Sequence, residues 1–123
     1  MSGKRILIIE DSILICTIVA SHLRNEGFLV SVARDGREGL LRARQEKPDL
    51  IILDLVLPVI PGEEVCRQLK KSADTENIPV VMLTAKSSDT DRIIGRVIGA
   101  DAYIPKPFEM KKLLETVMNF LQI

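Results

Sequence analysis

Five short apolar runs, each followed by a stretch of helical character, constrain this chain more than any other feature. Arg5 to Ile9 (RILII), Phe28 to Ala33 (FLVSVA), Leu50 to Leu53 running into Asp54, Pro79 to Thr84 (PVVMLT) and Asp101 to Pro105 (DAYIP) have strand length and turn residues around them. The first intervening helix is expected from about Ile13 to Glu26, capped by Ser12 or Asp11, with Leu14, Ile15, Ile18, Val19 and Leu23 on its inner face and Gly27 behind its end. A second runs from Glu38 to Gln45 with Leu40, Leu41 and Ala43, and a third to about Lys71 with Val65, Cys66 and Leu69 inward. A fourth is expected near Thr90 to Ile98. The last has the clearest helical period, with Met110, Leu113, Leu114, Val117, Met118 and Leu121 facing a core. Such alternation requires right-handed crossovers and a parallel sheet with helices on both faces. The fold class is therefore α/β, doubly wound, with five strands and five helices. The third run is apolar without interruption, so it reads as the central strand, buried on both faces.

Size and composition narrow the function. The chain has 123 residues, enough for one domain (1–123), and no linker or low-complexity stretch interrupts it. Basic and acidic residues both number 17, which argues against a nucleic-acid-binding face, and one Tyr, three Phe and no Trp argue against a base-stacking surface. Cys16 and Cys66 are far apart and His22 is the only histidine, so a Cys/His zinc site lacks ligands. His22 falls on the outer part of the first helix and is given no role. Two thiols among apolar neighbours fit buried cysteines in a reducing compartment. With neither a signal peptide nor a membrane-length apolar stretch, the expected location is the cytoplasm.

In a parallel sheet, chemistry gathers at the carboxyl ends of the strands. The first strand delivers Glu10 and Asp11 to that edge, the third Asp54, the fourth Thr84, and the loop after the fifth Lys106. Each alone has a plainer reading: Asp11 or Thr84 as a helix cap, Lys106 as a solvated charge. Their joint arrival at one edge favours chemistry. Three neighbouring carboxylates repel one another by on the order of a few kcal/mol per pair at an effective dielectric of about 20. Either one is protonated or a cation sits among them. Hard oxygen donors without His or Cys select Mg2+ or Mn2+. With a divalent ion and Lys106 the charges balance, and the site can accept a dianionic phosphoryl group. Asp54 is then the nucleophile, attacking phosphorus in line to form an acyl phosphate, while Thr84 donates a hydrogen bond to a phosphoryl oxygen.

These residues sit in motifs. Ile-Ile-Glu10-Asp11-Ser, Pro-Asp-Leu-Ile-Ile-Leu-Asp54 with Leu57-Pro58 and Gly62, Val-Met-Leu-Thr84-Ala85, and Gly99-Ala-Asp-Ala-Tyr103-Ile-Pro-Lys106-Pro107-Phe108 resemble, over essentially the whole chain, the receiver domain of bacterial two-component response regulators. The resemblance implies the flavodoxin-like strand order 2-1-3-4-5. It implies Asp54 as phosphoacceptor, Asp11 as direct Mg2+ ligand with Glu10 beside it, and the backbone carbonyl of Val56 as a further metal ligand. It makes Lys106 the phosphate-binding lysine, Thr84 and Tyr103 the switch residues, and the Lys106–Pro107 bond cis. The implied donor is a phosphohistidine on a sensor histidine kinase or histidine phosphotransfer protein. The domain would regulate rather than catalyse, assisting only its own phosphotransfer and dephosphorylation. Phosphorylation would draw Thr84 inward, turn Tyr103, and reshape the surface of the fourth helix, fifth strand and fifth helix, which meets a downstream protein or a second copy. Ile93, Ile94, Val97 and Ile98 are too many apolar residues for one narrow stripe and suit such a face.

Two positions depart from the family pattern. Pro61 precedes Gly62 where an acidic residue is frequent, and Val56 and Lys86 occupy positions that tune phosphate loss. The competing readings are a pseudo-receiver that binds proteins without taking phosphate, a flavodoxin-like carrier, and an aspartyl-phosphate phosphatase. Retention of all five site residues weighs against the first. Glu10 and Asp11 would repel a flavin phosphate, and Val56 is not the second acid a phosphatase wants.

Overall fold

The computed structural model describes residues 3–85 and 99–122. In chain order the elements are β1 (Arg5–Ile9), α1 (Ile13–Asn25), β2 (Leu29–Ala33), α2 (Gly36–Glu46), β3 (Leu50–Asp54), α3 (Gly62–Lys71), β4 (Val80–Ala85), β5 (Ala102–Lys106) and α4 (Met110–Leu121). The five strands form one parallel sheet in the order β2-β1-β3-β4-β5, as the resemblance implied. Four helices are described where five were expected. The one expected near Thr90 to Ile98 falls outside the described residues, as do Lys86 and the apolar residues of that segment.

Strand alternation splits the core into two layers. Ile6, Ile8, Leu50, Ile52, Val81 and Leu83 face α1 and α4, where Val19, Leu23, Leu113 and Val117 meet them. Leu7, Ile9, Ile51, Leu53, Val80 and Met82 face α2 and α3, packing with Leu40, Ala43, Val65 and Leu69. Every residue of β3 is buried, which is why its sequence shows no alternation. On α4, Leu113 and Val117 are fully buried, while Met110, Leu114, Met118 and Leu121 pack half-buried against the same layer.

The inner face of α1 differs from expectation. Leu14 and Ile18 stand 69% and 42% exposed, and the helix buries Cys16, Val19, Ala20 and Leu23 instead. The segment is apolar nearly all round, so its period does not select a face. The sheet does, and residues two positions from Cys16 lie about 200° round the helix from it. Leu41 of α2 is likewise exposed, while Leu40 and Ala43 are buried.

The helix ends follow local chemistry. The Ser12 hydroxyl accepts from the Ile15 N–H at 3.3 Å, capping α1. Gly27 closes that helix at φ 94°, a left-handed conformation that favours glycine. Helix α2 starts two residues before the expected point because the Asp35 carboxylate caps it, accepting from the Glu38 N–H at 2.8 Å. Both cysteines are buried free thiols. His22 is exposed, and its ring nitrogen lies 2.9 Å from the Ile18 carbonyl. Among the described residues, no helix is long and apolar enough to cross a membrane.

Candidate functional site

The ladders run one step past β1 and β3 and hold the strand ends in line. The Glu10 N–H donates to the Ala33 carbonyl at 3.0 Å, and the Leu55 N–H donates to the Leu83 carbonyl at 2.9 Å. Glu10 and Asp54 thereby end up side by side and buried, 1% and 5% exposed, with Asp11 exposed beyond them. One carboxylate oxygen from each of Glu10, Asp11 and Asp54 lies within 4.8 Å of the others. Lys106, from the end of β5, places its Nζ 2.9 Å from Glu10 Oε1 and 3.3 Å from Asp54 Oδ2. Glu10 Oε2 accepts the Ser12 N–H at 3.1 Å, so both oxygens of that carboxylate are engaged. Asp54 Oδ1 accepts the Val56 N–H at 3.3 Å.

The electrostatics follow from these contacts. Burial alone would pull the Lys106 ammonium down, because a charged group loses its water. The hydrogen bond to Glu10 and the negative charge of Asp54 outweigh that loss and hold Lys106 above the usual lysine range. It is a fixed cation at neutral pH. Lys106 pairs with two of the three acids, Glu10 and Asp54, and leaves Asp11 outside its ion pairs.

The donor set fits a hard divalent cation: oxygen only, from three converging acids. Oxygens bound to one Mg2+ at about 2.1 Å stand no more than about 4.2 Å apart. One oxygen from each of Glu10, Asp11 and Asp54 within 4.8 Å of the others is a spacing on the scale such an ion would need.

The loop leaving β3 is tightly built. The Gly62 N–H donates to the Leu55 carbonyl at 2.9 Å. A Cβ on Gly62 would stand 2.3 Å from the Asp54 carbonyl oxygen and 2.6 Å from Leu55 Cα, so no other residue fits without moving the backbone of the site. Val59, in the same loop, is β-branched yet held at φ 72°, a strained conformation.

The fold thus brings together Glu10, Asp11, Asp54 and Lys106. Thr84 is buried at the end of β4, one residue beyond Leu83, which pairs with Asp54 across the sheet. Tyr103, on β5, pairs with Met82 of β4 and lies half-buried against the α2–α3 layer. Burial, with Cys66 and Asp101 nearby, raises its hydroxyl above the usual tyrosine value. The Val56 side chain is exposed. The Lys106–Pro107 bond is cis, as the resemblance implied.

Sequence reasoning missed Arg34. Its guanidinium donates twice to the Asp11 carbonyl, from Nε at 3.2 Å and from a terminal nitrogen at 2.8 Å. The signal was available: Arg34 directly follows β2, which the strand order sets beside β1 and its acidic end.

The sequence profile of the response regulator receiver domain matches residues 6–118. The chain is 44% identical to the alkaline phosphatase synthesis transcriptional regulatory protein SphR of Synechococcus elongatus, over 91% of the chain and 46% of that protein. It spans about half the length of the curated relatives it matches. Among solved structures it is similar to the receiver domain of the sensor histidine kinase PA1611 from Pseudomonas aeruginosa, which has a magnesium ion coordinated in its active-site cleft. That match has a TM-score of 0.90 and 27% identity, covering 98% of this chain and 99% of that one. The chemotaxis response regulator CheY4 of Vibrio cholerae matches with a TM-score of 0.87 and 32% identity, over 95% and 98%.

Proposed function

The chain belongs to the response regulator receiver domain family, and on that premise we propose that Asp54 takes a phosphoryl group from a phosphohistidine partner at a Mg2+-assisted site. The family is one of regulatory phosphoacceptor domains in two-component signalling, not of catalytic enzymes. The observation that carries the residue-level reading is the cluster at the sheet edge: Lys106 bridging Glu10 and Asp54, with one oxygen each of Glu10, Asp11 and Asp54 within 4.8 Å of the others.

In this reading an Asp54 carboxylate oxygen attacks phosphorus in line while the bond to the donor imidazole nitrogen breaks. The electron pair leaves with that nitrogen, and Asp54 carries an acyl phosphate. Lys106, already held against Asp54, exchanges that contact for a phosphoryl oxygen and offsets its charge. The Thr84 hydroxyl donates to a second oxygen. Glu10, Asp11, Asp54 and the Val56 backbone carbonyl are the residues that would hold Mg2+ or Mn2+, which when bound supplies positive charge against the phosphoryl oxygens. The magnesium in the PA1611 receiver domain supports this assignment by analogy.

Thr84 and Tyr103 then carry the switch, and β5 and α4 contribute to the output surface for a downstream protein or a second copy of the chain; the helix expected near Thr90 to Ile98 as its third part lies outside the described residues. Thr84→Ala should still accept phosphate while weakening that readout. Residues 1–123 act as one cytoplasmic receiver domain. Its phosphoryl donor is a sensor histidine kinase or phosphotransfer protein, and its balanced charge, 17 basic and 17 acidic residues, weighs against nucleic acid as the partner of this domain.

The test is incubation with Mg2+ and acetyl phosphate, followed by intact mass. The expected result is one phosphoryl adduct on the wild-type chain and none on Asp54→Asn. Absence of an adduct on the wild type with several small donors overturns the reading.

A further inference from the structure

We propose that Arg34 is a positioning residue that sets the affinity of the acidic site for its cation by fixing the backbone of Asp11; this rests on the reading of that site given above. Asp11 lies two residues beyond the end of β1, exposed, and among the described residues no hydrogen bond or ion pair restrains its carboxylate. Its main chain then sets the Cβ position, and with it the range of places that carboxylate can reach. Two side chains hold that peptide: Arg34 grips its carbonyl from two nitrogens, at 2.8 and 3.2 Å, and the Glu10 carboxylate accepts its N–H, that of Ser12, at 3.1 Å. Arg34 is itself anchored. Its N–H donates to Glu38 Oε1 at 2.8 Å on the first turn of α2, and the preceding Ala33 carbonyl accepts the Glu10 N–H at 3.0 Å. The end of β1 is thus clasped from β2 on both sides, through Glu10 by the ladder and through Asp11 by the guanidinium.

Charge and geometry predict opposite signs, which makes the role measurable. As a cation near three carboxylates, Arg34 repels Mg2+, so on charge alone its removal tightens binding. As a clamp it orders a ligand, so its removal weakens binding. Lysine keeps the charge but cannot reproduce a planar two-point hold, so Arg34→Lys isolates the geometric part.

The experiment is Mg2+ titration calorimetry on the whole chain for wild type, Arg34→Lys, Arg34→Gln, Arg24→Gln and Asp11→Asn, with thermal unfolding in chelator to confirm folding. Arg34→Lys should bind Mg2+ about tenfold more weakly, and Arg34→Gln, which also sheds the repelling charge, more weakly than wild type but by a smaller factor than Arg34→Lys. Arg24→Gln removes another exposed arginine, one that bonds the Val30 carbonyl at 3.1 Å, and should bind like wild type. Acetyl phosphate labelling of the Arg34 variants should be slow at limiting Mg2+ and recover at saturating Mg2+. Unchanged or tighter Mg2+ binding in both Arg34 variants, with binding lost in Asp11→Asn, overturns the role of Arg34 alone. Wild-type binding in Asp11→Asn overturns the cation-site reading beneath it.

Discussion

Replacing Asp54 with Asn in metal-free buffer sets large opposing terms against one another. The substitution gives up attraction to Lys106 at 3.3 Å, worth about 5 kcal/mol at an effective dielectric of 20. It also removes repulsion from two carboxylates no more than 4.8 Å away, about 3.5 kcal/mol each on the same scale. The share from Asp11 is smaller, because that residue is exposed and water screens it. The pairwise terms therefore nearly cancel. The remaining term is desolvation. Asp54 is buried, and keeping an ionised carboxylate there costs several kcal/mol that a neutral amide of the same shape does not incur. Lys106 keeps its 2.9 Å partner Glu10 in the variant, so no buried cation is stranded. The net expectation is that Asp54→Asn is more stable than wild type by about 2 kcal/mol in chelator, raising the thermal midpoint by about 8 °C for a domain of this size. Mg2+ should reverse the comparison. At a hundredfold excess over its Kd the ion stabilises the wild type by about 2.7 kcal/mol, and the Asn variant, short of one ligand charge, gains much less. The assay is thermal and urea unfolding of both proteins in chelator and across a Mg2+ series. An Asn variant clearly less stable than wild type in chelator, or with an equal Mg2+ response, would show that the three acids do not strain the empty site.

Gly62→Ala puts a methyl group 2.3 Å from the Asp54 carbonyl oxygen, and backbone on either side must give way by about 1 Å. Stability should fall by about 2 kcal/mol and labelling by acetyl phosphate by about 100-fold; a rate equal to wild type would show that Gly62 does not set the position of Asp54. Val59→Asn replaces a β-branched residue at φ 72° by one that tolerates this conformation. Urea unfolding should show a gain of about 1 kcal/mol, with Mg2+ affinity unaltered. Burial pushes the Cys66 thiol from 9.0 up to about 11. Below pH 9 the thiol is protonated in both states. Above it the unfolded chain ionises first, so the stability Cys66 contributes is lost between pH 9 and about 11. Cys66→Ala should lack that component when unfolding free energies are compared across the range.

Much of the fold was legible because most runs obeyed one constraint each. β3 could be read as central from Leu50 to Leu53 because burial on both faces leaves no room for a polar residue, and Val65, Cys66 and Leu69 left α3 one apolar stripe. Helix α1 obeyed no such rule. Ile13, Leu14, Ile15, Cys16, Ile18 and Val19 surround the helix, and only contact with the sheet shows that Leu14 and Ile18 face outward. At the site, Glu10, Asp11, Asp54 and Lys106 could be named because strand ends have a fixed address in a parallel sheet. Arg34 was missed because its role passes through a carbonyl oxygen, which every residue has. Val59 was missed because φ is a property of the loop closing around Gly62 and leaves no mark on residue type.

Glu10 and Lys106 meet although 96 positions of chain separate them. A ribosome therefore exposes all three acids long before it releases their ammonium partner. A nascent or clipped polypeptide lacking β5 presents carboxylates with nothing to steady an arriving phosphate. On the role proposed for Lys106, competence to be labelled would come only once β5 has joined the sheet and brought that ammonium to the acids.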